Sequence, residues 1–167
     1  MSTEAREDVK QQAGLSHAGK YLSFFLGDEE YGLKILKVRE IIGLMEITSV
    51  PQTPGFIKGV VNLRGKVIPV IDLRLKFGME PAGYTDETCI IVVDIGHAMM
   101  GILVDTVSEV LDIAEDQIEP SPSFGSKINT DFILGMGKIK DQVKILLEID
   151  KVLSAEELAV VTEAGEE

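Results

Sequence analysis

The chain has no tryptophan, one cysteine and two histidines in 167 residues. A single thiol, Cys89, cannot form an internal disulfide, and with only His17 and His97 beside it no Cys/His zinc cluster can be assembled. Aromatic residues make up 5% of the chain. Phe24, Phe25 and Tyr31 are too scattered to build the stacking platform that a single-stranded nucleic acid needs. Positive charge is also short. Sixteen Lys and Arg stand against 28 Asp and Glu, a formal charge of -12, so nucleic acid or an anionic lipid surface would meet an opposing field. No run approaches the ~20 apolar residues of a membrane-spanning helix. The first twenty residues lack the apolar stretch of a signal peptide, so a cytoplasmic protein without membrane insertion is expected.

What the chain does have is aliphatic: 45% of it is hydrophobic, mostly Val, Ile and Leu, which suits an all-β core. Tyr21 to Leu26 and Glu30 to Leu33 flank a turn rich in Gly and Asp, a hairpin signal. From Lys34 to Leu44 the apolar positions Ile35, Leu36, Val38, Ile41 and Ile42 fit one helical turn followed by a strand, which Gly43 favours over a single helix. Ile57 to Leu63 and Lys66 to Ile71 flank Arg64-Gly65, a second hairpin. Asp72 is placed to cap a short helix, Leu73 to Phe77, closed by Gly78. Pro69 lacks a backbone donor, which predicts an edge strand or a bulge there. Residues 79–86, with Pro81 and Gly83, form a linker.

The order of elements then repeats. Shifted by 69 positions, Leu22 to Ile42 lies over Ile91 to Leu111, with Gly27, Gly32, Val38 and Glu40 matched by Gly96, Gly101, Val107 and Glu109. Shifted by 78, Ile57 to Leu75 lies over Gly135 to Leu153, matching Lys66 to Lys144 and Asp72 to Asp150. The recurrence of turn glycines in the same order implies two similar barrels. The difference of nine between the offsets falls in a loop before Gly135. Each half is too small for a secure core of its own, so an apolar seam between them is expected. The division expected is a flexible tail, 1–19, a first barrel, 20–80, a second, 85–153, and an accessory C-terminal helix with an acidic end, 154–167.

Catalysis finds no support in the residues. Asp28/Glu29/Glu30, Glu115/Asp116 and Glu156/Glu157 read as solvated faces without the dry pocket that a general acid needs. His97 falls at a hairpin tip, and Cys89 sits in a strand as a small hydrophobe. Ser108 and Ser123 have no evident base, and Gly135 to Lys138 lacks the spacing of a phosphate loop. The informative stretches are surface ones. Residues 43–56 carry Leu44, Met45, Ile47, Val50 and Phe56 beside Pro51 and Pro54, more apolar content than a solvent loop shows, and either cover a barrel end or meet a partner. Arg64 at a hairpin tip is the leading functional candidate.

FxLGDEEYGLxILKVREI, the Pro-containing loop, and then GFIKGVVNLRGKVIPVIDLRLKFG together resemble the family of CheW-like chemotaxis coupling domains over about residues 20 to 155. The resemblance implies two five-stranded SH3-like barrels, between which a terminal strand can be exchanged, no catalysis, and no cofactor or metal. It implies an adaptor that joins the cytoplasmic tips of methyl-accepting chemotaxis receptors to the regulatory domain of the histidine kinase CheA in arrays at the inner face of the membrane. A scaffold in a non-chemotaxis chemosensory pathway is the alternative. By position, a receptor helix hairpin is expected on Ile35, Val38, Glu40, Ile41, Arg64, Val104 and Val107. The rival reading of Glu40 and Arg64 is a structural ion pair. The kinase is expected on Leu44, Met45, Ile47, Val50 and Phe56, with Phe124 anchoring a second ring contact.

Overall fold

The computed structural model describes residues 17–96, 98–122 and 130–166. The tail over residues 1–16, His97 and Phe124 lie outside the described residues. Among the described residues eleven strands form two sheets. In chain order they are β1 (Gly19–Leu26), β2 (Glu29–Lys34), β3 (Val38–Gly43), β4 (Ile57–Leu63), β5 (Lys66–Asp72), β6 (Cys89–Asp94), β7 (Met99–Val104), β8 (Thr106–Ile113), β9 (Ile118–Glu119), β10 (Ile133–Ile139) and β11 (Gln142–Leu147). A short helix, α1 (Leu73–Lys76), follows β5, and a longer one, α2 (Ala155–Glu166), ends the fold.

Turn chemistry dictates the local structure. Gly27 takes φ +62° at the first hairpin. Arg64 and Gly65 take φ 54° and 88°, and Lys140 and Asp141 take 52° and 66° at the corresponding tip. Both central residues of each two-residue loop are thus left-handed, the geometry that matches strand twist. The Asn62 side chain accepts from the Gly65 N–H at 2.8 Å. Ile35–Lys37 forms a single 3-10 turn before β3, and Asp72 caps α1 by accepting from Arg74 N at 2.9 Å.

The two sheets do not follow chain order. One runs β8-β1-β2-β11-β10-β9, the other β3-β6-β7-β5-β4. Each half therefore lends its first hairpin to the sheet of the other half, through parallel pairings of β2 with β11 and β5 with β7. A cut near residue 80 separates sequence repeats but not sheets, and a whole hairpin rather than one terminal strand is exchanged. The reason lies in the hairpins themselves. Cys89–Asp94 is apolar on both faces, and so is most of Tyr21–Leu26. Such strands need cover on each side. Val61, Ile68, Val70, Ile90, Val92 and Leu103 fill one barrel, and Tyr21, Ile113 and Leu146 the other. The opposite faces, with Leu22, Phe24, Leu33, Ile91, Val93 and Ile102, meet in a shared cluster that also receives Ile71, Leu147 and Val161. Phe24, Tyr31, Phe77 and Phe132 stack in sequence across it, with centroids 5.8, 5.8 and 5.1 Å apart.

Three further expectations need correction. The second offset is 76, not 78. Gly59 and Gly135 both follow a register shift, and Asp72 N donates to Phe56 O as Glu148 N does to Phe132 O. A slip of two residues keeps every strand side chain on its own face, so alternation cannot detect it. Pro69 lies in an interior strand. It is tolerated because its partner Val60 exchanges both backbone hydrogen bonds with Thr48, at 2.8 Å each, and the ladder with β7 starts one residue later. The C-terminal helix is no accessory, since Val161 is fully buried and Leu158 and Val160 pack on the shared cluster.

The bridge between Thr48 and Val60 fastens the long loop to β4, and Gly59 makes it possible. With φ +142°, a Cβ at Gly59 would lie 2.0 Å from the Thr48 carbonyl oxygen. Gly59→Ala is expected to destabilise the protein by about 2–4 kcal/mol. Gly43→Ala, where the corresponding space is open, stays within ~0.5 kcal/mol of wild type. Urea unfolding of both variants decides, and equal midpoints would remove the constraint assigned to Gly59.

Candidate interaction surfaces

The register places the receptor-strip residues. Val38 pairs with Val93 and Ile41 with Ile91, whereas Glu40 pairs with Val92. A bulge at Arg39 thus puts Val38 and Ile41 on the seam-facing side of β3 and turns Glu40 towards its own barrel. In the second half, Val107 pairs with Phe24 and Val110 with Leu22, again facing the seam. The Ser23 hydroxyl stitches this second bulge, accepting from Glu109 N at 3.3 Å and donating to Glu109 O at 3.2 Å. Ile35, Val38 and Ile41 therefore have Val104, Val107 and Val110 as counterparts, 69 positions on, along the rims of the shared cluster. Ile41 is 45% and Val110 52% exposed.

Val110 was missed by the sequence reading, although the 69-residue offset applied to Ile41 points straight to it. Val104 must be withdrawn as a contact. At 2% exposure it belongs to the core and can only support the surface above it. Leu36 projects 91% exposed from the 3-10 turn, and Lys37 beside it binds Asp150 at 2.8 Å.

Glu40 and Arg64 do come together. The Arg64 guanidinium donates to a Glu40 carboxylate oxygen, joining the hairpin at one end of the five-stranded sheet to β3 at the other. The pair closes the barrel rim, and the Arg64 side chain remains 69% exposed. Position in the fold thus favours the structural ion pair without hiding the arginine.

Residues 44–56 form a second surface. Leu44, Met45 and Ile47 line a shallow pocket of about 400 Å³ with Lys58 and Tyr84. Met45 and Ile47 also pack on the interior of the five-stranded barrel and so plug its mouth, while Leu44 and Tyr84 are 39% and 46% exposed. Val50 and Phe56 do not line this pocket. The Val50 carbonyl accepts from the Thr53 hydroxyl at 2.9 Å. Phe56 packs on the shared cluster with Lys76 Nζ 4.9 Å above its ring. Tyr84 comes from the linker, and its one signal in the sequence is a lone aromatic among Pro, Gly and acidic residues.

The carboxylates prove structural where they are not solvent-exposed. Glu30 is not on a solvated face: its side chain, 10% exposed, binds the buried Lys144 at 2.5 Å. Asp105 accepts two bonds from Arg74, at 2.8 and 2.6 Å, and one from Gly27 N at 2.7 Å. Hydrogen bonding to Arg74 holds its carboxyl below the usual carboxylate range despite partial burial. Burial alone would raise the Glu157 carboxyl, but bonds from Lys76 and Ser154 outweigh it and hold the group low. Burial pushes the Cys89 thiol up and, with Glu148, the Tyr21 phenol to about 12. Among the described residues there is no group of three or more His, Cys, Asp or Glu able to hold a metal ion, and no helix long and apolar enough to cross a membrane.

Comparison with known proteins agrees with this arrangement. The profile of the CheW-like domain matches residues 20–157. A chemotaxis protein CheW from Klebsiella aerogenes is 44% identical over 153 residues, 92% of each chain. Another from Helicobacter pylori is 36% identical over 134 residues, 80% of this chain and 81% of that one. The crystal structure of scaffolding protein TtCheW from Thermoanaerobacter tengcongensis superposes with a TM-score of 0.77 at 39% identity, covering 84% of this chain and 95% of that one.

The lowered pKa of Asp105 carries a sign. A depressed carboxyl contributes stability that is present above the unfolded value, about 4, and is lost as pH falls through the folded value. Wild type is therefore expected to exceed Asp105→Asn in stability at pH 7, with the gap closing once the pH drops below that range. Urea midpoints measured from pH 7 to pH 3 test this, and a gap independent of pH would mean that the Arg74–Asp105 charge pair contributes nothing.

Proposed function

We propose, from the premise that this chain belongs to the CheW-like domain family, that it is a chemotaxis adaptor without catalysis of its own, joining receptor tips to the regulatory domain of the kinase CheA. One observation carries the receptor half of this reading: the paired rims, Ile35, Val38 and Ile41 against Val107 and Val110, present aliphatic side chains on both sides of one seam. Soluble proteins do not usually leave apolar residues exposed in register across two strands without a partner. A helical hairpin, with apolar residues at intervals of three and four, is the element whose ridge fits between two such rims. Exposed Leu36 extends the apolar surface, and Arg64 adds a charge beside it.

The kinase half rests on the pocket of Leu44, Met45, Ile47 and Tyr84. A barrel mouth plugged by partly buried side chains, with Leu44 and Tyr84 left outside, matches an interface core whose anchors are already held in place. The regulatory domain of CheA is the proposed occupant, and arrays at the inner face of the membrane are the proposed setting. The net charge of -12 favours basic patches on both partners through steering.

Ile41→Asp and Val110→Asp are each expected to weaken binding to a purified receptor fragment at least tenfold, about 1.4 kcal/mol, while circular dichroism stays native. Receptor affinity unchanged in both variants would overturn the rim assignment. Arg64→Glu is expected to weaken the same binding, and the double reversal with Glu40→Arg separates the two roles. Recovery of affinity assigns Arg64 to holding the rim, and continued loss assigns it to direct contact. Leu44→Asp is expected to weaken binding to the regulatory domain of CheA at least tenfold and leave receptor binding intact, as read by titration calorimetry. Native kinase affinity in that variant would remove the pocket from the interface.

A further inference from the structure

The internal repeat exposes an asymmetry. On the five-stranded sheet, α2 lies across β4, β5 and β7. Its Val161 is fully buried and Leu158 packs on the shared cluster. The offsets of 76 and 69 residues make β10, β11 and β2 the counterparts of those three strands on the six-stranded sheet. There the described residues leave an open groove of about 550 Å³. Tyr31, Phe77, Phe132, Ile133, Ile145 and Val152 form its apolar floor, and the first turn of α2 contributes only a wall, through Ser154 and Glu157. Among the described residues, a surface that this chain covers with its own helix in one half is uncovered in the other.

We propose that this groove is a third interaction surface, distinct from the rims and from the barrel mouth, and that it takes an acidic amphipathic helix of a partner protein in the way the first groove takes α2. Three observations support the occupant. The groove has the strands and the size suited to a helix face, and its floor continues the aromatic stack of Tyr31, Phe77 and Phe132. Its rim is basic. Lys76 already binds Glu157 of α2 at 2.7 Å, and Lys151 is exposed with no carboxylate partner among the described residues. A carboxylate near the start of an incoming helix would find Lys151, as Glu157 finds Lys76. A second copy of this chain is disfavoured as the source, because the apolar face of α2 is spent on its own core. The inference uses neither the receptor nor the kinase and does not depend on either assignment.

The sequence of α2 itself supplies the probe. A peptide of residues 154–166, held helical by a lactam bridge on its solvent side, is titrated into the full chain carrying labelled Ile, Leu and Val methyl groups. Saturable shifts are expected at Ile133, Ile145 and Val152. Lys151→Glu, an exposed substitution that leaves the fold intact, is expected to weaken binding at least fivefold. No shift up to about 1 mM peptide, the weak end of specific recognition, would overturn the proposal. So would shifts confined to Ile57 and Ile71, which report displacement of the chain's own helix, or an affinity unaffected by Lys151→Glu. Dimer formation by the unliganded chain through Ile133 and Ile145, seen by sedimentation and by the same methyl signals, would assign the groove to a second copy and also overturn it.

Discussion

A hairpin that is apolar on both faces must be covered twice, once by the barrel it belongs to and once by something else. Two such hairpins exist here, and each covers the other. Burial of side chains such as Phe24, Ile91 and Ile102 contributes roughly 1.5–3 kcal/mol apiece relative to exposure, far above the 0–1 kcal/mol typical of an exposed ion pair. The shared cluster therefore decides the architecture, and the ion pairs refine it. The parallel pairings that deliver the hairpins require close approach. A Cβ on Gly32 would stand 2.9 Å from the Leu146 side chain across one parallel pairing, and one on Gly101 3.3 Å from Val70 across the other. Both glycines occupy the corresponding strand positions, β2 and β7, so close packing against the neighbouring apolar side chains is built into the repeat.

The proposed function follows from where that cluster ends. A shared cluster has rims, and the edge strands β3 and β8 carry the rims. Their bulges, at Arg39 and at Ser108 and Glu109, re-aim the side chains so that Ile41 and Val110 face the seam and not a barrel interior. Without the bulge, Glu40 would take the seam-facing place of Ile41 and the apolar strip would be broken by a charge. The same device that fits an edge strand to a curved barrel thus produces the exposed aliphatic pair on which the receptor reading rests.

Much of this was legible in advance. The hairpins around Gly27 and Arg64-Gly65, the helical turn before Val38, the Asp72 cap and the seam all follow from turn chemistry and local patterning, which act over a few residues. The exchange of hairpins was not legible, because alternation within Tyr21 to Leu33 is identical whichever sheet the hairpin joins. The two-residue error in the second offset has the same origin in strand periodicity. At the surfaces, Ile41, Leu44 and Arg64 could be named from the sequence, while Val104 was misplaced because an aliphatic residue at a strand end looks the same whether it points to a core or to a rim. Glu30, read as solvated from its acidic neighbours, is half-buried in a pair with Lys144, a residue 114 positions away that no local pattern could supply.

The repeat also bears on how a nearly symmetric body distinguishes the partners proposed for it. The chain crosses from one sheet to the other at Ile35–Lys37 and again at Asp105, and each crossing is pinned to the helical turn that follows the parallel strand, by Lys37 to Asp150 and by Asp105 to Arg74. The charges are reversed between the two pins: the cation sits on the crossing in the first and on the helical turn in the second. Where Asp105 fills its position with a charge, the counterpart 69 residues earlier is Leu36, and because Lys37 does the pinning one residue on, Leu36 is free to project into solvent. A like-for-like repeat would give a docking helix two equivalent orientations. Reversal of the pin, with Leu36 on one side and a neutralised carboxylate on the other, makes one orientation differ from its mirror by an apolar contact, which is how an adaptor built from a duplication can hold a partner in a single register.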